Sequence, residues 1–141
     1  MMIDYTFQKP NFIDSKQILD LYQSVGRLAY VQQPQTTIEA LNNSVVLWVT
    51  ENKKLIGLCR GITDGKTILY VQDILVNPTY QGQHIGTDLV KRFLEKYQDI
   101  GQTVLITDPE DKTLAFYQSL KFQEVKPSEY GRAFVMDRRF N

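Results

Sequence analysis

Residues 74–97, ILVNPTYQGQHIGTDLVKRFLEKY, pass from an apolar strand-like run through a proline and a glycine turn into an amphipathic helix. Ile85, Leu89, Phe93 and Tyr97 recur every four residues, and Val90 and Leu94 widen the stripe, the pattern of a helix packed on a sheet. The first amides of such a helix have no intrahelical acceptors and lie at the positive end of its dipole. Gly82 and Gly86 let backbone approach a ligand closely at that point. Strand, glycine turn and helix in this order form a cradle for a phosphate.

The flanking sequence predicts what the cradle is set in. Before it, VVLWVT, KLIGLCRGIT and TILYVQDILV are β-branched, aromatic-rich runs separated by Glu51–Lys54 and by Asp64-Gly65, a hairpin signal. Three consecutive antiparallel strands are expected, preceded by an opening strand in residues 2–8. Asp14 and Gln17 stand at capping-box spacing and Ile13 and Ile18 at staple spacing, starting a helix that ends near Gly26. Thr36 and Glu39 repeat the box for a short second helix, with an irregular loop between the two. After the cradle helix, TVLIT reads as a buried strand, Asp108-Pro109 as a helix start, and FQEV and RAFVMDR as two further strands. The expected fold is a single α/β domain over residues 1–141, a mixed and mostly antiparallel sheet flanked by about four helices.

Charge and rare residues narrow the chemistry. Sixteen basic and sixteen acidic side chains cancel, so no global field attracts nucleic acid or an anionic membrane, and an anionic ligand must be held locally. Neither a membrane span nor an export segment is read from the chain, and cytoplasmic residence is the expectation. One cysteine, Cys59, and one histidine, His84, leave no metal cluster, and a histidine-dependent hydrolase would have to use a residue in a turn. Cys59 lies among Ile56 and Leu58 and reads as core, not as an acyl-accepting nucleophile; Trp48 also reads as core.

Two nucleotide motifs are excluded by spacing. Gly82, His84 and Gly86 do not fit G-x-G-x-x-G, and the turn ends Gly86-Thr87-Asp88 where a Walker loop requires Gly-Lys-Ser/Thr. The stretch Gln81, Gly82, Gln83, His84, Ile85, Gly86 instead resembles the acetyl-coenzyme A signature of the GNAT acetyltransferases, Gln/Arg-x-x-Gly-x-Gly/Ala. His84 stands where the family has glycine. ILVNPTY before the turn, TDLVKRFLEKY after it, and FYQSLKF at 116–122 extend the resemblance over residues 70–122 in the family's order.

The resemblance implies acetyl transfer from acetyl-coenzyme A to a primary amine of a small-molecule or amino-acid-like acceptor, by direct attack in a ternary complex, and it is compatible with a homodimer. It places the pyrophosphate on the amides from Gln81 to Thr87 and the pantetheine arm beside Ile74, Leu75 and Val76. A bulge in that strand would free backbone groups for the cofactor, and an N–H near Leu75 or Val76 would polarise the thioester. Tyr117 takes the place of the family's proton donor to the departing thiolate; the plainer reading is a helix tyrosine with its ring in the core. Lys112, Thr113 and Phe116 fall on the same helix, with Glu110 and Thr113 where the family has asparagine and alanine. Lys121 replaces the family's helix-ending glycine.

Asp73 is the candidate base, against a reading as a strand carboxylate bound to a neighbour. Strict alternation puts Gln72 and Asp73 on opposite faces, so one of them would face the cleft. Tyr22, Arg27 and Tyr30 are expected in the substrate pocket, Arg27 reading either as a carboxylate ligand or as a solvated helix-end cation. Two other readings accompany this one: a non-catalytic acyl-coenzyme A sensor or partner module, and a transferase acting on protein or peptide amines.

Overall fold

The computed structural model describes residues 2–139. The chain divides after Leu105 into two compact units.

The first unit is built on a five-stranded sheet ordered β1-β2-β3-β4-β5. Its strands are β1 Ile3–Thr6, β2 Val45–Glu51, β3 Lys54–Thr63, β4 Ile68–Val76 and β5 Gln102–Leu105. The first four pair antiparallel, and β5 runs parallel to β4. The mixed, mostly antiparallel sheet expected from the sequence is thus present. Asn52 and Lys53, both at positive φ, turn β2 into β3. Asp64 organises the next turn, with Oδ1 accepting from the amides of Lys66 and Thr67 at 2.9 and 2.7 Å.

Helix α1, Ser15–Ser24, starts where the sequence placed it, with the Asp14 side chain accepting from the Gln17 amide at 2.9 Å. The Gln17 side chain does not close the box. It accepts from the Leu55 amide at 2.8 Å and donates to the Lys53 carbonyl, tying the helix to β3. The helix ends in a Schellman pair, Gly26 N–H to Gln23 O and Arg27 N–H to Tyr22 O, both 3.0 Å, with Gly26 at φ +78°.

The expected loop between the first helices contains a one-turn helix, α2 Leu28–Val31. Helix α3, Pro34–Asn42, begins ahead of the expected cap because Pro34 supplies a pre-set φ at the first turn, leaving Thr36 inside the helix. Helix α4, Ile85–Lys96, follows a 3-10 turn at Pro78–Tyr80.

The sheet is covered on both faces. Ile18, Leu21, Leu41, Trp48 and Leu58 form the core on the α1 and α3 side. Ile56, Cys59, Leu69, Leu89 and Phe93 form the core on the α4 side. Each such fully buried large side chain contributes roughly 1.5–3 kcal/mol.

The second unit contains α5 Asp111–Ser119 and α6 Pro127–Tyr130. Helix α5 starts later than expected, because Asp108 spends its carboxylate on the Glu110 amide at 2.9 Å and the Thr113 hydroxyl at 3.2 Å, forming a turn ahead of the helix. The two expected strands at FQEV and RAFVMDR are not formed: no residue described beyond Leu105 is in a strand. Alternation supplies β propensity, but a strand exists by pairing with a neighbour, and that is not written in the local pattern.

Candidate active site

The cradle lies in the first unit. The strand ends at Val76; the amide of the next residue, Asn77, donates to the Ile56 carbonyl at 2.8 Å, and its side chain accepts from the Thr79 amide at 2.9 Å. Tyr80 then anchors the turn by donating its hydroxyl to Glu51 Oε1 at 3.0 Å. That hydrogen bond holds the Tyr80 phenol above its ordinary pKa.

Past Tyr80, Gly82 is at φ +85° and His84 at φ +63°, ψ +13°, in the left-handed region. His84 is the N-cap of α4 and makes no side-chain cap. Its imidazole is therefore spent on a conformation that glycine adopts without strain. The result is a helix whose opening amides, from Ile85 to Thr87, have no acceptor within the helix and no capping side chain. Gly86 sits above β4: a Cβ there would lie 3.7 Å from Val76 Cγ2.

The strand leading into the cradle opens on one side. Pairing of β4 with β5 runs from Ile68↔Gln102 to Val71↔Leu105 and stops. Ile74, Leu75 and Val76 keep β3 as their strand neighbour and have no partner on the other edge among the described residues. The Gln81 side chain reaches back to the Val76 carbonyl at 3.4 Å.

The bulge expected in this strand is present, but it lies at Gln72. The register passes from Gly61↔Val71 to Arg60↔Asp73, leaving Gln72 as the extra residue. This corrects the alternation argument. Val71 packs in the α4-side core while Leu75 packs in the α1-side core, although strict alternation would put them on one face. Gln72 and Asp73 consequently both meet the α1 side, where the rings of Tyr22 and Tyr30 pack 5.0 Å apart. Gln72 Nε2 donates to the Tyr30 hydroxyl at 2.9 Å, and the Tyr22 hydroxyl donates to Asp73 Oδ2 at 2.8 Å.

Asp73 is 1% exposed and ion-paired with Arg60, itself 7% exposed, through Nε at 2.7 Å. Arg60 Nη1 donates to the Ser44 hydroxyl at 3.1 Å, which donates to the Ala40 carbonyl at 2.6 Å. Burial pulls the guanidinium pKa down, and the Asp73 carboxylate more than offsets this. Burial, reinforced by Asp73, pushes the Tyr22 phenol far above its ordinary value of 10.0. Asp73 Oδ1 is buried and has no partner. With Oδ2 shared by two donors and the side chain enclosed, Asp73 holds Tyr22 and Arg60 in place, the geometry of the second of its two readings, a strand carboxylate bound to its neighbours.

Of the expected pocket residues, Tyr22 and Tyr30 come together and Arg27 does not join them: it is exposed, at the end of α1. Gln72 and Arg60 complete the cluster. Arg60 carried no sequence signal, since its partner is set by the bulged register. Cys59 is fully buried, and burial pushes its thiol well above 9.0, as suits a core residue.

In the second unit, Tyr117 has a definite structural part. Lys121, at φ +72°, ends α5 in a Schellman pair: its amide donates to the Gln118 carbonyl at 3.0 Å and the Phe122 amide to the Tyr117 carbonyl at 3.1 Å. The rings of Phe116 and Phe122 meet Tyr117 edge-on at 5.0 and 5.7 Å. FYQSLKF is thus a helix stop that fixes the ring of Tyr117. On the same helix, Thr113 is bonded to Asp108, and Lys112 pairs with Glu110 at 3.7 Å on the surface.

The bulged and half-open β4, feeding an uncapped helix through a left-handed turn, is an α/β arrangement that can hold an anionic group at a helix start. The chain belongs to the acetyltransferase (GNAT) family, whose model matches residues 15–122. This bears out the resemblance read from the sequence. It is 31% identical over 111 residues to an uncharacterized N-acetyltransferase, ycf52, of Gracilaria tenuistipitata var. liui, covering 73% of this chain and spanning 60% of that relative's length. Among solved structures, a GNAT-family acetyltransferase of Streptococcus pneumoniae is similar with a TM-score of 0.75 at 28% identity, covering 97% of this chain and 99% of that one. The PaiA N-acetyltransferase of Thermoplasma acidophilum, solved in complex with coenzyme A, shares the fold with a TM-score of 0.66 at 14% identity, covering 85% and 89% of the two chains. No helix among the described residues is long and apolar enough to cross a membrane.

Proposed function

We propose that this chain is an N-acetyltransferase that moves the acetyl group of acetyl-coenzyme A onto a primary amine of a small, amino-acid-like acceptor, by direct attack in a ternary complex. The observation that carries this reading is the uncapped start of α4 directly beyond a strand whose outer edge is open after Val71. The residues fit the cofactor. Gly82 has no atom within 4 Å of a notional Cβ, and the amides from Gly82 to Thr87 lie at the positive end of α4 with no competing side-chain cap, while the Gln81 amide donates to the Pro78 carbonyl at 3.3 Å. The coenzyme A bound by the Thermoplasma neighbour supports the same choice.

Acetyl-coenzyme A supplies an acyl carbon already activated as a thioester. In this reading the backbone of Ile74, Leu75 and Val76 aligns the pantetheine arm, and an N–H near Leu75 or Val76 polarises the thioester carbonyl. The acceptor nitrogen bonds to the acyl carbon as the carbon–sulfur bond breaks. The acceptor's proton leaves to water, and the departing sulfur takes up a proton, a role that the family resemblance gives to the Tyr117 hydroxyl, itself reprotonated from solvent. Juxtaposition supplies the remainder of the rate.

Release of free thiol from acetyl-coenzyme A, followed over a panel of primary amines, tests the reading. Amine-dependent release is expected. Cofactor binding with no release on any amine would leave an acyl-coenzyme A binding module in its place.

A further inference from the structure

The polar cluster at the bulge has two ends of different character. At the inner end, Tyr22, Arg60 and Asp73 are buried and committed to one another. At the outer end, Gln72 and Tyr30 are half-buried and bonded to each other through a single contact, Gln72 Nε2 to the Tyr30 hydroxyl oxygen at 2.9 Å. That contact uses one amide proton and one lone pair. It leaves Gln72 Oε1 as an acceptor and the Tyr30 O–H as a donor, and no hydrogen bond of either is formed with another described residue.

Both groups are held rigidly. The Tyr30 ring packs on Tyr22 at 5.0 Å and lies 5.9 Å from the Arg60 guanidinium, and its carbonyl accepts from the Thr37 hydroxyl at 2.7 Å. Gln72 is fixed by the bulge and is the first residue of β4 past its last β5-paired residue, Val71, about 7 Å along the strand before Ile74. No unpaired charge faces outward from the cluster, because Arg60 and Asp73 neutralise each other at 2.7 Å.

We infer that Gln72 and Tyr30 are the specificity-determining pair for the acceptor: Gln72 Oε1 accepts a hydrogen bond from the acceptor's amine, and the Tyr30 hydroxyl donates one to an oxygen close to that amine. The preferred acceptor class is therefore an amine carrying a neighbouring carbonyl or hydroxyl oxygen, of which a plain alkylamine offers half the match. This rests on the acetyltransferase reading above and adds the substrate class to it. Asp73, one residue away, serves the pair from behind by holding Tyr22 against Tyr30.

Steady-state transfer to glycinamide and to propylamine, with acetyl-coenzyme A saturating, tests the inference. The native protein is expected to favour glycinamide in kcat/KM by about tenfold, the worth of one hydrogen bond to the acceptor. Gln72→Leu and Tyr30→Phe are each expected to raise the KM for glycinamide by about tenfold with the KM for acetyl-coenzyme A unchanged, and to remove most of the preference. The double variant should be little worse than either single one, because each group orients the other. A native protein that does not distinguish the two amines, or a Gln72→Leu variant that retains the preference, overturns the inference and leaves the acetyltransferase reading standing. Transfer to neither glycinamide, propylamine nor any other amine overturns both.

Discussion

The hydroxyl of Tyr22 on α1 donates to Oδ2 of Asp73 on β4 across 2.8 Å, the same oxygen that Arg60 Nε approaches at 2.7 Å. A helix residue and a strand residue 51 positions apart in sequence thus share one buried carboxylate oxygen. The other oxygen, Oδ1, is enclosed and accepts from no described residue. The contact is the fastening between α1 and the bulged strand.

Removing the charge from that fastening should cost stability before it costs chemistry. Asp73→Asn leaves a buried guanidinium without its counter-ion and is expected to destabilise the fold by about 3–5 kcal/mol, read from the urea midpoint at constant slope. In the folded fraction, the dependence of log kcat/KM on pH should keep its shape. Disappearance of the acidic limb in Asp73→Asn would make Asp73 the base.

Alkaline conditions should loosen the same region. The Tyr22 phenol is raised above 10.0 and the Cys59 thiol above 9.0 in the folded state. Both groups ionise more readily unfolded, so the stability they lend is complete below pH 9 and is progressively lost as pH rises through 9 and then 10 toward their folded values. Melting temperature should fall over that range, and Tyr22→Phe should flatten the part above pH 10. A melting temperature constant to pH 11 would contradict the burial assigned to both groups.

Two side chains occupy left-handed positions that favour glycine, His84 at φ +63° and Lys121 at φ +72°. His84→Gly and Lys121→Gly are each expected to raise stability by about 1 kcal/mol by relieving that strain. His84→Gly should leave coenzyme A affinity, measured by calorimetry, equal or improved, because the amide of residue 84 remains. A tenfold loss of affinity would assign the imidazole itself to the ligand.

Tyr117→Phe separates the two parts assigned to that residue. The ring contacts with Phe116 and Phe122 survive the change, so coenzyme A affinity should hold. Turnover should fall about 100-fold if the hydroxyl delivers the proton to sulfur. Turnover equal to that of the native protein would leave Tyr117 with its helix-ending role alone.

How far the sequence carried the reading depends on whether the determining force was local. The α1 cap at Asp14, its stop at Gly26, the Asp64 turn and the glycine cradle before α4 were legible because each is decided within a few residues, by a cap, a φ angle or a helical stripe. The starts of α3 and α5 were misplaced where a neighbouring residue competed for the same role, Pro34 in one case and the Asp108 turn in the other. The FQEV and RAFVMDR strands were misread because propensity alone does not supply a partner.

By itself, then, the sequence determined the cradle and the family. Tertiary structure decided which side chains meet on the α1 face of β4. That outcome turns on a single extra residue, Gln72, in the pairing of β3 with β4. The bulge is accommodated opposite Gly61, where a Cβ would come within 2.9 Å of the Tyr70 carbonyl oxygen. A one-residue change of register reverses the facing of every side chain beyond it. It brought Gln72 and Asp73 onto one face and gave Arg60 its partner, a buried fastening with a polar pair at its outer edge.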